Sequence, residues 1–159
     1  MYQVRKRPSR STPATIILNK MKNIDFIIYG NQEDRRANPI PYIRITRRSK
    51  WTDKAQRYFQ WKSYVYGAFC EATQKLGNRR CERLNTKEEK IVMNLQIEWA
   101  DNKHADPDNV FKGIADALFE NDKNLDGSFV TKMAQDGRGK VIVHLLLDEA
   151  SKTLEGWKK

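Results

Sequence analysis

Apolar positions along this chain fall into segments of two different periods. Ile24 to Tyr29 (Ile-Asp-Phe-Ile-Ile-Tyr) is rich in β-branched and aromatic residues and predicts a first strand. Ile91 to Trp99 alternates cleanly from Met93 onward and predicts a half-buried strand. Thr52 to about Leu76 has a helical period: Ala55, Tyr58, Phe59, Lys62, Tyr66 and Phe69 recur at its spacing. Thr52 is placed to cap that helix, Gly77 to end it, and its aromatics are expected in the core. Pro107 to about Phe119 predicts a second helix, with Pro107 in the first turn and Val110, Phe111, Ile114 and Leu118 as the apolar stripe.

Shorter segments complete the pattern. Gly30 to Pro41 is a polar loop broken by Asn38-Pro39 and Ile40-Pro41, and Tyr42 to Thr46 predicts a short strand. Phe129 to Met133, the Gly137-Arg138-Gly139 turn and the run from Val141 to Leu147 predict a hairpin that closes the sheet. There is no internal repeat. The expected class is α+β, a small mixed sheet with two main helices packed on it. Residues 1–23 are expected as a basic, flexible arm, 24–148 as the folded domain and 149–159 as a polar tail. Ile16-Ile17-Leu18 within the arm predicts a short strand or a docked segment.

Composition narrows the partner. The chain has 159 residues, enough for one domain with a real core, and 31% of them are charged. Its formal net charge is +10 and its pI about 9.7, which points to a polyanion: DNA, RNA or an anionic surface. No apolar run approaches the roughly 20 residues that span a bilayer. Residues 1–13 lack the apolar stretch of a signal peptide, so a cytoplasmic protein is expected. Cys70 and Cys81 have no metal-ligand spacing and are expected as free thiols in a reducing cytosol. Arg44, Arg47, Arg48 and Lys50, with Arg79 and Arg80 in a later turn, are the expected nucleic-acid contacts.

Against this basic background stands an acidic cluster. Asp106 and Asp108 lie two residues apart where a helix begins, so in extended geometry both carboxylates can face one ion. Asp108, Lys112 and Asp116 follow at four-residue intervals along one helix face. Asn109 can position the loop or a metal-bound water, and Lys112 can meet a carboxylate or a phosphate. Carboxylates that hold a divalent cation on a basic surface suit phosphodiester hydrolysis. Each residue alone also has a plain reading: a cap, or a solvated ion pair. His104 reads as a loop histidine. Asp122-Lys123-Asn124-Leu125-Asp126-Gly127 matches half of an EF-hand loop, but Met133 stands where that loop needs Glu.

The order Asp106-Pro107-Asp108-Asn109, then Lys112, then Asp116-Ala117-Leu118 resembles the RusA family of Holliday junction resolvases. The downstream acidic pair of that family appears here as Asn121-Asp122. The likeness is specific over Asp106 to about Asp122 and supportive over Ile91 to Leu147. It implies a homodimeric, Mg²⁺-dependent endodeoxyribonuclease, with Mn²⁺ as a substitute, that makes paired nicks in four-way junctions during recombination and repair. It implies Asp106, Asp108 and Asp122 as metal ligands, with Lys112 assisting at the phosphate and Asn109 and Asp116 in support. Cytoplasmic, nucleoid-associated action on branched DNA follows. The helix between Asp106 and Asp122 is about 18 Å long at roughly 1.5 Å per residue. Asp122 meets Asp106 only through a folded-back loop or at the other subunit's site. Two other functions fit the same residues: a non-catalytic basic binding protein, and a nuclease for other branched DNA.

Overall fold

A computed structural model describes residues 23–30, 37–77, 81–87 and 89–147. The expected arm before residue 23, the Arg79-Arg80 turn and the tail from 148 lie outside the described residues. The elements in order are β1 (Asn23–Tyr29), α1 (Asp53–Lys75), β2 (Leu84–Asn85), β3 (Ile91–Trp99), α2 (Pro107–Leu118), β4 (Phe119–Asn121), β5 (Asp126–Met133) and β6 (Lys140–Leu147). The main sheet has strand order β1-β6-β3-β5. β6 is antiparallel to both β1 and β3, while β5 is parallel to β3. The class is therefore mixed α and β, a four-stranded mixed sheet with two helices.

Alternation sets the sheet's buried face. Ile24, Phe26 and Ile28 of β1, Met93, Leu95 and Ile97 of β3, and Val141, Val143 and Leu145 of β6 all point into the core. Both helices cover that face. α1 buries Ala55, Tyr58, Trp61, Val65, Phe69 and Thr73, one row at three- and four-residue steps. α2 buries Val110, Gly113, Ile114, Ala117 and Leu118. Thr52 caps α1 as expected, its hydroxyl accepting the Ala55 N–H, and Gly77 ends it with a φ of 94°. Tyr58 and Phe69 are core, as the helical period requires. Phe59 instead lies at the surface, and Trp61, absent from the expected stripe, is buried.

Three expectations are corrected. Tyr42 to Thr46 joins no sheet. Ile43 and Ile45 do turn inward, but the segment lies on α2, with the Tyr42 N–H donating to the Asn109 carbonyl at 2.8 Å. Gly113 has no side chain to keep that backbone away. Next, β5 and β6 do not form a hairpin, because they flank β3 on opposite sides. The parallel partner of β3 is reached through the α2 crossover. The return over residues 134–139 passes the end of β3, where the Ala134 N–H donates to the Trp99 carbonyl. β5 also begins at Asp126, three residues before the expected start. Finally, Cys70 and Cys81 are not free thiols; they form a disulfide. The chain turns back after α1 and brings the two Cα atoms to 5.2 Å, within bridging range.

Among the described residues no helix is long and apolar enough to cross a membrane. The half EF-hand also fails structurally. Strand β4, not a helix, enters Asp122, and Asp126 and Gly127 already belong to β5.

Candidate functional site

Asp106 and Asp108 sit together at the start of α2. Asp106 is the N-cap, in extended conformation, and its Oδ1 accepts the Asp108 N–H at 3.0 Å. Pro107 occupies the first helical turn, where it gives up no hydrogen bond. One turn on, the Lys112 ammonium lies 2.7 Å from Asp108 Oδ2. That hydrogen bond and charge raise the Lys112 pKa, so the lysine stays protonated. All three side chains are exposed. Asp106 Oδ2 and Asp108 Oδ1 make no hydrogen bond among the described residues, so each carboxylate has an oxygen to offer. The N-terminal dipole of α2 adds positive potential at the same place.

The loop that delivers this pair is braced. Asn38 accepts the Ala100 N–H at 2.7 Å and donates its amide to Asp101 Oδ1 and the Lys103 carbonyl. His104 stacks flat on the buried Trp99, with ring centroids 4.2 Å apart. That contact accounts for His104 as a packing residue. Asn109 holds the Tyr42 segment through its backbone carbonyl.

Asp116 belongs elsewhere. It faces α1, where Lys62 Nζ lies 2.7 Å away and the Tyr58 hydroxyl donates at 2.8 Å. Burial pushes its pKa up, but the Lys62 ammonium and the Tyr58 hydroxyl outweigh that and hold it below the usual carboxylate range. Burial and the same carboxylate raise the Tyr58 pKa, so that phenol stays protonated. Arg83 closes the far end of α2, donating to the Asp116 and Phe119 carbonyls at 2.6 Å each. Asp116 therefore fixes the angle between the helices and does not join Asp106 and Asp108.

Asp122 is also apart. It follows β4, and four residues later Asp126 pairs with Val92 near the start of β3; Asp106 follows the other end of that strand. The Asp122 carbonyl accepts the Leu125 N–H in a turn. Asn121, in the family's acidic position, shapes that turn: its side chain accepts the Lys123 N–H and its carbonyl accepts from Thr86. Among the described residues no group of three or more His, Cys, Asp or Glu gathers. One chain thus presents two carboxylates. That number suits Mg²⁺, which keeps several waters and takes one or two carboxylates plus phosphate oxygens.

Arg44, Arg47, Arg48 and Lys50 are exposed, and none pairs with an acid among the described residues. Arg44 stands two residues from Tyr42, whose N–H is bonded to the carbonyl of Asn109, the residue after Asp108. Sequence reasoning gave Asn38 and Lys62 no part in the site and did not single out Arg83. Asn38 reads only as a turn former before Pro39, and a lone lysine or arginine carries no signal of its distant partner. No known family model matches the chain, and no match was found among curated proteins.

Proposed function

We propose that this chain is a Mg²⁺-dependent, structure-specific endodeoxyribonuclease of RusA type that acts as a homodimer on four-way DNA junctions. One observation carries it: two exposed carboxylates and a protonated lysine converge at a helix N-terminus on a chain of net charge +10. A site for a phosphate and its cation needs that combination, and an ordinary cap does not.

Asp106 and Asp108 would hold the cation, which supplies an activated water and neutralises charge on the phosphate. Lys112 places its ammonium where a non-bridging phosphate oxygen would develop charge. Asp108 keeps that ammonium in place until a phosphate competes for it. The basic segment beside Tyr42 holds neighbouring phosphates.

A second subunit answers the separation of Asp122. Among the described residues β5 is an edge strand, exposed along its length, and it carries Phe129, Val130 and Met133. Such an edge invites pairing with another chain. Antiparallel pairing of two β5 edges about a twofold axis would set Asp122 of the partner subunit toward the Asp106 end of this chain. Two sites per dimer suit paired nicks.

The test is cleavage of a labelled synthetic four-way junction, with Mg²⁺ and with EDTA, by the wild type and by Asp108→Asn. Symmetric, metal-dependent nicks that vanish in the variant are expected, with unchanged or tighter DNA binding. A preference for flaps over junctions would shift the substrate to other branched DNA. Junction binding without cleavage under any divalent metal would favour a non-catalytic binding protein.

A further inference from the structure

Trp51 is 75% exposed, whereas Trp61 and Trp99 are buried. It ends a short 3₁₀ turn, Ser49–Trp51, that lies just ahead of α1. The turn is held from both sides. The Thr46 N–H donates to Ser49 Oγ and the Ser49 N–H to Thr46 Oγ1. Behind them, the Thr52 hydroxyl donates to the Ser49 carbonyl and the Gln56 amide to the Lys50 carbonyl, both at 2.7 Å. The ring is thus presented on a fixed backbone, with its ordering entropy already spent on folding.

Its surroundings are cationic. Arg47, Arg48 and Lys50 precede it, and Lys54 and Arg57 follow in the first turns of α1, all exposed. None meets an acid among the described residues. The Lys50 ammonium stands 4.7 Å from the Trp51 ring centroid. A flat aromatic face among unpaired cations matches a ligand with a flat ring and flanking anions. A nucleobase between two phosphates has that form. Bases inside a duplex are stacked on their neighbours, so only an unpaired base can offer its face to an indole.

We infer that Trp51 is a base-stacking residue that takes an unpaired nucleobase, while Arg47, Arg48 and Lys50 hold the adjoining phosphates. The inference rests on the nucleic-acid part of the proposed function and not on catalysis. It gives the protein a way to tell strand openings at a branch from plain duplex.

Fluorescence anisotropy with a labelled oligo-dT strand and with a labelled duplex of equal length tests it. Trp51→Ala should weaken single-strand binding by about 5- to 150-fold, the range expected for one stacked base. Duplex binding should change by less than about twofold, since phosphate contacts dominate it. Trp51→Phe should recover most of the single-strand affinity. The double variant Arg47→Ala/Arg48→Ala should weaken both ligands and flatten the salt dependence. Equal single-strand affinity for wild type and Trp51→Ala overturns the inference, as does equal weakening on both ligands. Stacking intact in a protein that cuts no DNA would retain the inference and remove the nuclease. Binding to neither ligand would remove the inference, even if junction cleavage survives.

Discussion

Lys62 of α1 and Asp116 of α2 meet at 2.7 Å, and the Tyr58 hydroxyl completes the contact on the same carboxylate. The pair lies at the seam of the two helices, so α2 cannot roll against α1 without breaking it. Asp116→Ala strands an ammonium and a phenol together. Because Asp116 is 40% exposed, water screens part of that loss, and about 1–2 kcal/mol is expected. Lys62→Met removes the charge pair and the ammonium's contact with the Tyr58 ring and should cost about half as much. Urea midpoints for both single variants and the double variant give the coupling. Additive losses would mean that the two side chains act independently.

Acid stability follows from two lowered carboxyls. At Asp116, burial acts upward but Lys62 and Tyr58 prevail. At Glu98, burial acts upward but Lys132, Lys140 and Gln96 prevail. A carboxyl lowered on folding stabilises above its unfolded value, about 3.9 for Asp and 4.3 for Glu. That contribution is lost as pH falls through the folded value. The urea midpoint should therefore hold level from about pH 7 to 5 and drop below about pH 4.5. Asp116→Asn with Glu98→Gln should shallow the drop. An unchanged acid slope in that double variant would assign the loss to other groups.

Asn38 links the segment before Tyr42 to the loop that carries Asp106. Asn38→Ala leaves the Ala100 N–H without its acceptor and should destabilise by about 1–3 kcal/mol. Amide exchange over residues 100–106 should quicken more than exchange in β3 or α2. Gly139→Ala should show the same local pattern. A Cβ there would collide with the Ala37 carbonyl and push the adjoining Asn38 aside. Faster exchange spread evenly over the domain would contradict a local brace.

The Cys70–Cys81 bond closes a span of 11 residues between the end of α1 and the approach to β2. Loop closure of that size is worth about 2–3 kcal/mol. A reductant should lower the wild-type unfolding free energy by that amount, moving its urea midpoint down, and leave Cys70→Ser unmoved. Cys70 and Cys81 pack against the core but are not among its fully buried side chains, so the reduced chain should keep its circular dichroism spectrum. A midpoint insensitive to reductant would mean that the thiols do not pair in solution.

Local periodicity made β1, β3, α1 and α2 legible, because each buries one row of its own residues. Strand order was not legible. β5 and β6 look like a hairpin because only seven residues, a Gly-Arg-Gly turn among them, separate their apolar runs, yet both prefer β3 as neighbour. Tyr42 to Thr46 has a strand's alternation because Ile43 and Ile45 turn inward, but alternation does not say whether a ladder partner is free. The Asp106, Asp108 and Lys112 group was legible because its members lie within two helical turns. Asp116 shares their spacing and was drawn to α1 by Lys62, a partner 54 residues away that no local pattern announces.

Asp108 and Asp122 stand at opposite ends of the β3–α2–β5 unit, which separates two designs for the site. If the partner subunit supplies Asp122, Asp108→Asn and Asp122→Asn chains are each inactive alone but complement when mixed. A heterodimer of the two has one site with both defects and one with neither. At equal mixing about half the dimers are hybrid by random pairing, each with one intact site, so about a quarter of wild-type single-nick activity should return. Paired nicks should stay absent, because no dimer holds two intact sites. If Asp122 serves its own chain, each site of a mixed dimer keeps one defect. With Asp122 in cis, mixing returns nothing. With Asp122 idle, the Asp122→Asn homodimer already cuts like wild type. Nicking of a labelled junction after mixing and subunit exchange distinguishes the three outcomes.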